Sequence, residues 1–293
     1  MIIQLIISGL AIGSVYSLVA LAHSLIWSGV RAVNFAQGEV FMAAAFVALT
    51  ALSEGDRLPA LPFWAAVLVG VIAASLIGLV IYNIAIRPTS KKGFLYALGA
   101  CIGFSTLLQS SAILVWGSTG EQFPAQISMV PFRIGSVLIV PMDLFIMGIS
   151  LAAMVILYLF LSKTRLGTAM RAAAQNREVA GLMGISHRLT DSLTFMVASS
   201  LAGLAGILLA PKFFVTPQMG SSISSKGFTA AVLGGFGSIP GAVLGGLLLG
   251  ILENISAGLI SSSYKDAISF LIMVIIIMFK PEGLLGVKGG RKA

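Results

Sequence analysis

Long apolar blocks, punctuated by short charged or Pro/Gly-rich intervals, run the length of this chain. They cover residues 4–27, 34–50, 63–86, 94–115, 137–161, 191–211, 240–260 and 265–280, with a shorter apolar piece at 227–236. A helix of about 20 apolar residues matches the hydrocarbon thickness of a bilayer. The pattern therefore predicts an all-α fold: a polytopic membrane helix bundle of about eight spans, forming a single transmembrane domain over residues 1–293. The piece at 227–236 is about 15 Å long as a helix, half the hydrocarbon thickness, and cannot span alone.

The polar intervals orient the spans. Arg87–Gly93, Ser162–Thr190 and the Lys288–Lys292 tail are rich in positive charge, the mark of cytoplasmic segments. Counting crossings between them puts the N-terminus outside, the C-terminus in the cytoplasm and Trp116–Ser136 outside, and it closes only if 227–236 and 240–260 form an in-and-out pair. Thirteen basic residues then fall inside and five outside, the latter Arg57, Arg133, Lys212, Lys226 and Lys265. The N-terminal apolar run has no basic residue before it and does not read as a cleaved signal peptide.

Irregular backbone at membrane depth survives only where protein or a water-filled cavity satisfies it. Gly234-Gly235-Phe236-Gly237-Ser238-Ile239-Pro240 reads as such a break, and Asn34-Phe35-Ala36-Gln37-Gly38-Glu39 opens the 34–50 helix after a basic turn. Opposed broken segments in the two halves suggest an inverted repeat with the translocation pathway between them. Asn34, Gln37, Glu39 and Thr229 are candidates for that pathway. Glu253 joins them because it lies too deep in its helix for an N-terminal role, and an intramembrane carboxylate is a functional hypothesis by default. Asp143, Asp191 and Asp266 sit in first turns and read as helix caps.

Composition sharpens this picture. Of 293 residues, 58% are hydrophobic and 10% charged, against about 25% charged in a soluble domain, and the mean hydropathy is +1.03. An ordinary soluble enzyme is excluded. The net charge of +8 collects in the predicted cytoplasmic segments, so it speaks for membrane orientation and against nucleic acid as a partner. Cys101 is the single cysteine, which excludes an intrachain disulfide and a thiolate metal cluster. No phosphate-binding loop, HExxH motif or Ser/His/Asp set occurs, so no catalytic residue, metal or cofactor is expected. Small residues at four-residue spacing, Gly237/Gly241/Gly245, Ala242/Gly246/Gly250 and Ala198/Ala202/Gly206/Ala210, predict close helix packing.

The interval 162–190 carries the most informative polar pattern. From Thr168, which could cap it, a good helix former continues to Ala180, with Gly181 and Gly184 as stops. It places Arg171, Gln175 and Glu178 on one line, a rigid element suited to docking a cytoplasmic partner.

Four blocks in order, Gly13–Leu18, Val33–Glu39, Phe228–Gly241 and Lys280–Gly286, resemble the H-type permease subunit of the branched-chain amino acid ABC importer family over nearly the whole chain. That resemblance implies an ATP-driven importer moving branched-chain amino acids, or another amino acid, amide or urea, across the bacterial inner membrane. It implies two cytoplasmic ATPase subunits that hydrolyse the ATP, a second related permease and a periplasmic or lipid-anchored binding protein as partners. Arg171, Ala173, Asn176, Arg177, Gly181, Gly184 and Ile185 lie in the segment similar to the family's coupling helix, although Ala172-Ala173-Ala174 lacks its leading Glu. The competing class is an ion-coupled secondary transporter or channel acting without an ATPase, for which Glu39 and Glu253 are the candidate coupling residues.

Overall fold

The computed structural model describes residues 2–53, 60–89, 92–125, 127–134, 137–259, 261 and 264–286. Arg57, Lys91, Lys288, Arg291 and Lys292, used above for orientation, lie outside the described residues. The helices are α1 (Ile2–Val30), α2 (Gln37–Leu52), α3 (Phe63–Ile81), α4 (Arg87–Thr89), α5 (Phe94–Trp116), α6 (Pro141–Lys163), α7 (Arg165–Gln175), α8 (Arg177–Leu182), α9 (His187–Leu209), α10 (Met219–Gly234), α11 (Ile239–Leu259) and α12 (Lys265–Phe279). Among the described residues six helical stretches are long and apolar enough to cross a membrane: Ile2–Val30, Phe63–Thr89, Leu95–Trp116, Pro141–Lys163, His187–Lys212 and Ile239–Leu259. The shorter helices α2, α10 and α12 have 16, 16 and 15 residues.

Boundaries differ from the sequence expectation where polar or β-branched residues sit at an edge. Arg87–Thr89, expected to be part of a break, are helical, because α3 runs through a π turn, Tyr82–Ile86, into α4. There the Arg87 N–H reaches back to the Tyr82 carbonyl, five residues away, and the Pro88 ring is accommodated without ending the helix. The expected span from 137 starts at Pro141 instead, because Val137–Ile139 (β2) pairs antiparallel with Phe132–Ile134 (β1). The apolar piece 227–236 is the end of a longer helix, α10, whose serine-rich start hides it from a hydropathy reading. Its hydroxyls fold back onto the backbone, Ser221 to the Gln218 carbonyl at 3.0 Å and Thr229 to the Ser225 carbonyl at 2.9 Å.

The chain divides into two compact units, one of residues 1–24, 127–151 and 225–293, the other of residues 25–126 and 152–224. In the second, α2 is buried on nearly every side from Gln37 to Leu49, and packs against α3 and α9. The approach is close because small residues face it. Ala66, Gly70, Ala74 and Gly78 form the buried line of α3, while Trp64, Leu68, Ile72, Leu76 and Val80 form its exposed line. A Cβ on Gly206 of α9 would stand 2.2 Å from the Phe41 carbonyl oxygen.

In the first unit α1 crosses α11 equally closely. A Cβ on Gly250 would lie 2.3 Å from the Gly13 Cα, and one on Gly246 would lie 2.4 Å from the Ser17 amide nitrogen. Gly241 and Gly245 press α11 against α10, with the Gly234 and Ala230 carbonyl oxygens 2.4 and 2.1 Å from the positions of an added Cβ. Gly237 is not part of that line: it sits before α11, at φ 88° in the turn. The C-terminal segment completes this corner. Leu284 and Leu285 donate their N–H groups to the Leu233 and Gly234 carbonyls at 2.9 and 2.8 Å, satisfying acceptors that the end of α10 leaves free. Two of the four recognised sequence blocks are thus a single packed structure.

Candidate translocation and coupling sites

The start of α2 is built from side-chain amides. Asn34 accepts the Ala36 N–H on Oδ1 at 3.1 Å, and its carbonyl accepts the Gln37 N–H at 3.3 Å, which turns the chain into the helix. Asn34 Nδ2 donates to Gln37 Oε1 at 2.9 Å, and Gln37 Nε2 donates to the Ala198 carbonyl of α9 at 3.0 Å. Asn34 thus lies ahead of the helix rather than opening it. The first turn is pinned by α10: a Cβ on Gly38 would lie 2.3 Å from the Gly220 carbonyl oxygen, and one on Gly220 would lie 2.2 Å from that of Gly38. Glu39 follows, 3% exposed, with Oε1 accepting from the Ser105 hydroxyl of α5 at 3.4 Å and Oε2 without a partner among the described residues. The structure brings Asn34, Gln37 and Glu39 together within one unit.

Thr229 and Glu253 belong to the other unit. Thr229 is buried, its hydroxyl 3.4 Å from Met273 Sδ. Glu253 is the centre of an ion cluster. Lys226 Nζ lies 2.6 Å from Glu253 Oε1 and 2.7 Å from Asp266 Oδ1, and Lys265 Nζ lies 3.1 Å from Glu253 Oε1. The Lys226 ammonium also stands 6.0 Å from the Tyr16 ring centroid. Two cations and two carboxylates cancel, so the burial of charge here is compensated pair by pair. The sequence signal was present, since Lys226 interrupts a small-residue helix and Lys265-Asp266 opens α12, but nothing in the linear order ties them to Glu253. Asp266 is accordingly an ion-pair partner rather than a simple cap.

The segment 162–190 folds as two helices, not one. Thr164, four residues before the expected cap, accepts the Gly167 N–H at 3.0 Å and starts α7. Asn176 breaks the line at φ −149° and starts α8 by accepting the Val179 N–H at 3.2 Å. Its competing side-chain bond explains why a helix-forming stretch divides there. The expected single face of Arg171, Gln175 and Glu178 is therefore interrupted. Arg177 turns inward: Nη1 donates to the Gly29 carbonyl at the end of α1 at 2.8 Å, and Nη2 pairs with Asp191 of α9. Asp191 also accepts from the Tyr82 hydroxyl at 3.3 Å, which the π turn carries to this depth. Ala173 is buried, Arg171, Asn176, Gly181 and Gly184 are exposed, and Ile185 is half-buried. Gly184, at φ 81°, closes α8, with the Ile185 N–H returning to the Ala180 carbonyl at 3.0 Å. What the sequence reading missed is the tip: Leu182 is 87% and Met183 78% exposed, with Val179 exposed beside them.

Among the described residues no group of three His, Cys, Asp or Glu could hold a metal ion. The arrangement consists of close-packed helices, two polar breaks and a clamped polar element.

Comparison with known proteins places this arrangement. The family model for the permease component of branched-chain amino acid transport systems matches residues 5–277. The high-affinity branched-chain amino acid transport system permease protein BraD of Pseudomonas aeruginosa is 35% identical, with 97% of this chain and 95% of that protein covered. The corresponding permease LivH of Escherichia coli K12 is 34% identical, with 97% and 95% covered. A nucleoside ABC transporter permease, NupB of Lactococcus lactis, is 30% identical with 45% of this chain and 36% of that protein covered. With the match running from the first helix to the last, the chain belongs to the family of permease components of branched-chain amino acid transport systems.

Proposed function

We propose that this chain is the membrane-embedded gate of an ATP-driven importer of branched-chain amino acids. It works with two cytoplasmic ATPase subunits, a second related permease and a periplasmic or lipid-anchored binding protein, with its N-terminus outside and its C-terminus in the cytoplasm. The observation that carries this reading is the α7–α8 element: an exposed apolar tip, Val179, Leu182 and Met183, on a helix fastened by Arg177 to α1 and α9. Exposed apolar side chains beside Arg171 and Glu178 suit a groove on a partner, and the Arg177 clamp passes a push on the tip to two membrane helices. Movement of the ATPases on binding nucleotide then becomes a tilt of α9 and α1, and a two-state packed bundle converts the tilt into alternate opening.

The polar start of α2 supports a place for it in the pathway, because Asn34, Gln37 and Glu39 are polar groups held at a helix break. Thr229 and Glu253 stand differently. The pairing of Glu253 with Lys226 and Lys265 supports a fastening role for that carboxylate. The same pairing argues against Glu253 as a coupling residue in the ion-coupled alternative, which needs uncompensated charge at depth and is left with Glu39.

The test is co-purification of the ATPase with Leu182→Asp/Met183→Asp, alongside leucine uptake by proteoliposomes of the assembled system. Loss of both in the variant, with normal membrane insertion, supports the reading. Leucine uptake that persists without the ATPase overturns it. A cysteine at position 176, in a Cys101→Ala background, should label only from the cytoplasmic side; labelling in intact cells by an impermeant reagent would invert the orientation.

A further inference from the structure

Among the described residues the buried carboxylates Asp191 and Glu253 are each matched with a cation, and Glu39 is not. Asp191 faces Arg177, and Glu253 faces Lys226 and Lys265. Glu39, 3% exposed, faces no cation among the described residues. Its hydrogen bond from the Ser105 hydroxyl, at 3.4 Å, is at the long limit, and Oε2 has no partner among the described residues. A charge left this way is costly to maintain in a low-dielectric interior, and an intramembrane carboxylate is a functional-site hypothesis by default.

The surroundings hold the carboxylate where it is. A Cβ on Gly220 would stand 3.1 Å from the Glu39 amide nitrogen, so the first turn of α2 has no room to withdraw. Gln37 and Asn34 already bond each other, the Ala198 carbonyl and the local backbone, which leaves Oε2 as the open acceptor at this break. The side offered by α5 is small and hydroxylated. Ser105 is half-buried, and Gly103, Thr106 and Ser110 are exposed at helical spacing, with nothing within 4 Å of a Cβ on Gly103. One carboxylate and one hydroxyl are too few oxygens for a divalent cation, which takes six or more. They suit the three N–H donors of a primary ammonium.

We infer that Glu39, with the Ser105 hydroxyl, receives the α-ammonium group of an amino acid in transit. This rests on the reading of the chain as an amino acid permease. It assigns Glu39 a contact to cargo that the packing of α2 does not need, and it makes the α5 face around Thr106 the side from which cargo approaches.

The test uses the assembled importer during ATP turnover, with Ser105→Cys in a Cys101→Ala background. The probes are two thiol-reactive reagents with the same reactive group, one bearing an ethylammonium and one an ethylsulfonate. The expected result, with each rate divided by that of the same reagent with a free thiol in solution, is reaction with the ammonium reagent about tenfold faster than with the sulfonate, as a fixed carboxylate in a narrow site concentrates cations. That preference should collapse to below about twofold when Glu39→Gln is added, whereas a purely structural role of Glu39 leaves it unchanged. No reaction at position 105 during turnover, or a preference that survives Glu39→Gln, overturns the inference. The reading of the chain as an importer is judged separately, by leucine uptake: a charge preference without leucine uptake sinks that reading and leaves an ammonium site for other cargo.

Discussion

The helices α2 and α10 have the same length, 16 residues, and each follows a break, yet they are fastened by different chemistry. The first is fixed by neutral groups: a ladder of amides from Asn34 through Gln37 to the Ala198 carbonyl, and glycine-to-glycine backbone contact. The second carries Lys226 in a four-charge cluster with Glu253, Asp266 and Lys265. Where charge serves as fastener it is neutralised by its neighbours. Where the fastening is neutral, the one charge present, Glu39, is left over. Charge at membrane depth therefore has two meanings in one chain, and the presence of a counter-ion separates them.

Substitutions sharpen that contrast. The largest effect is expected for Gly38→Leu, because even its Cβ would stand 2.3 Å from a backbone oxygen that cannot yield; overpacking of this kind exceeds the usual cost of about 1–3 kcal/mol, and monodisperse protein should be lost on size exclusion. Gly99→Leu is the control, since nothing lies within 4 Å of a Cβ there, and it should elute normally. Next comes Lys226→Met, which takes from the buried Glu253 its shorter ion pair and leaves it Lys265 alone; it should lower stability by about 2–3 kcal/mol, read as a fall in the thermal midpoint in detergent. Adding Glu253→Gln and Asp266→Asn should recover part of that loss. Arg177→Ala follows at about 1–2 kcal/mol, since its side chain is 41% exposed and solvent screens part of the pair; its clearer readout is lower ATPase association. Smallest is Glu39→Gln, within about 0.5 kcal/mol of wild type or slightly stabilising, because no partner is lost. A large fall there would show that Glu39 is a fastener after all and erase the contrast.

Much of this was legible in the sequence because lipid imposes a simple pattern. The apolar blocks located most of the membrane helices, and the glycine lines of α11 marked its crossing with α1. The equivalent line on α3, Ala66-Gly70-Ala74-Gly78, lay hidden among large apolar residues, since hydropathy does not say which face meets protein. The start of α10 was lost because Ser and Lys read as loop when their hydroxyl and ion partners are unknown. Asn34, Gln37 and Glu39 were found as residues, from polarity beside a break. Their contacts with Ala198, Ser105 and Gly220 come from elements 66 to 182 positions away, and pairing of that range leaves no local trace. The division of the cytoplasmic helix at Asn176 was in principle readable, because an Asn three residues before Val179 is a capping signal. It was overridden by the run of good helix formers on either side.

The clip made by Leu284 and Leu285 on the end of α10 has a consequence for biogenesis. A ribosome releases α10 about fifty residues before the two amides that finish it, so its last carbonyls stay uncapped while α11 and α12 enter the bilayer. The end of α10 is therefore completed only after Leu284 and Leu285 have been made. A chain stopped short of Leu284 would carry the described helices α1 to α12 and still present an unfinished corner to the insertion and quality-control machinery.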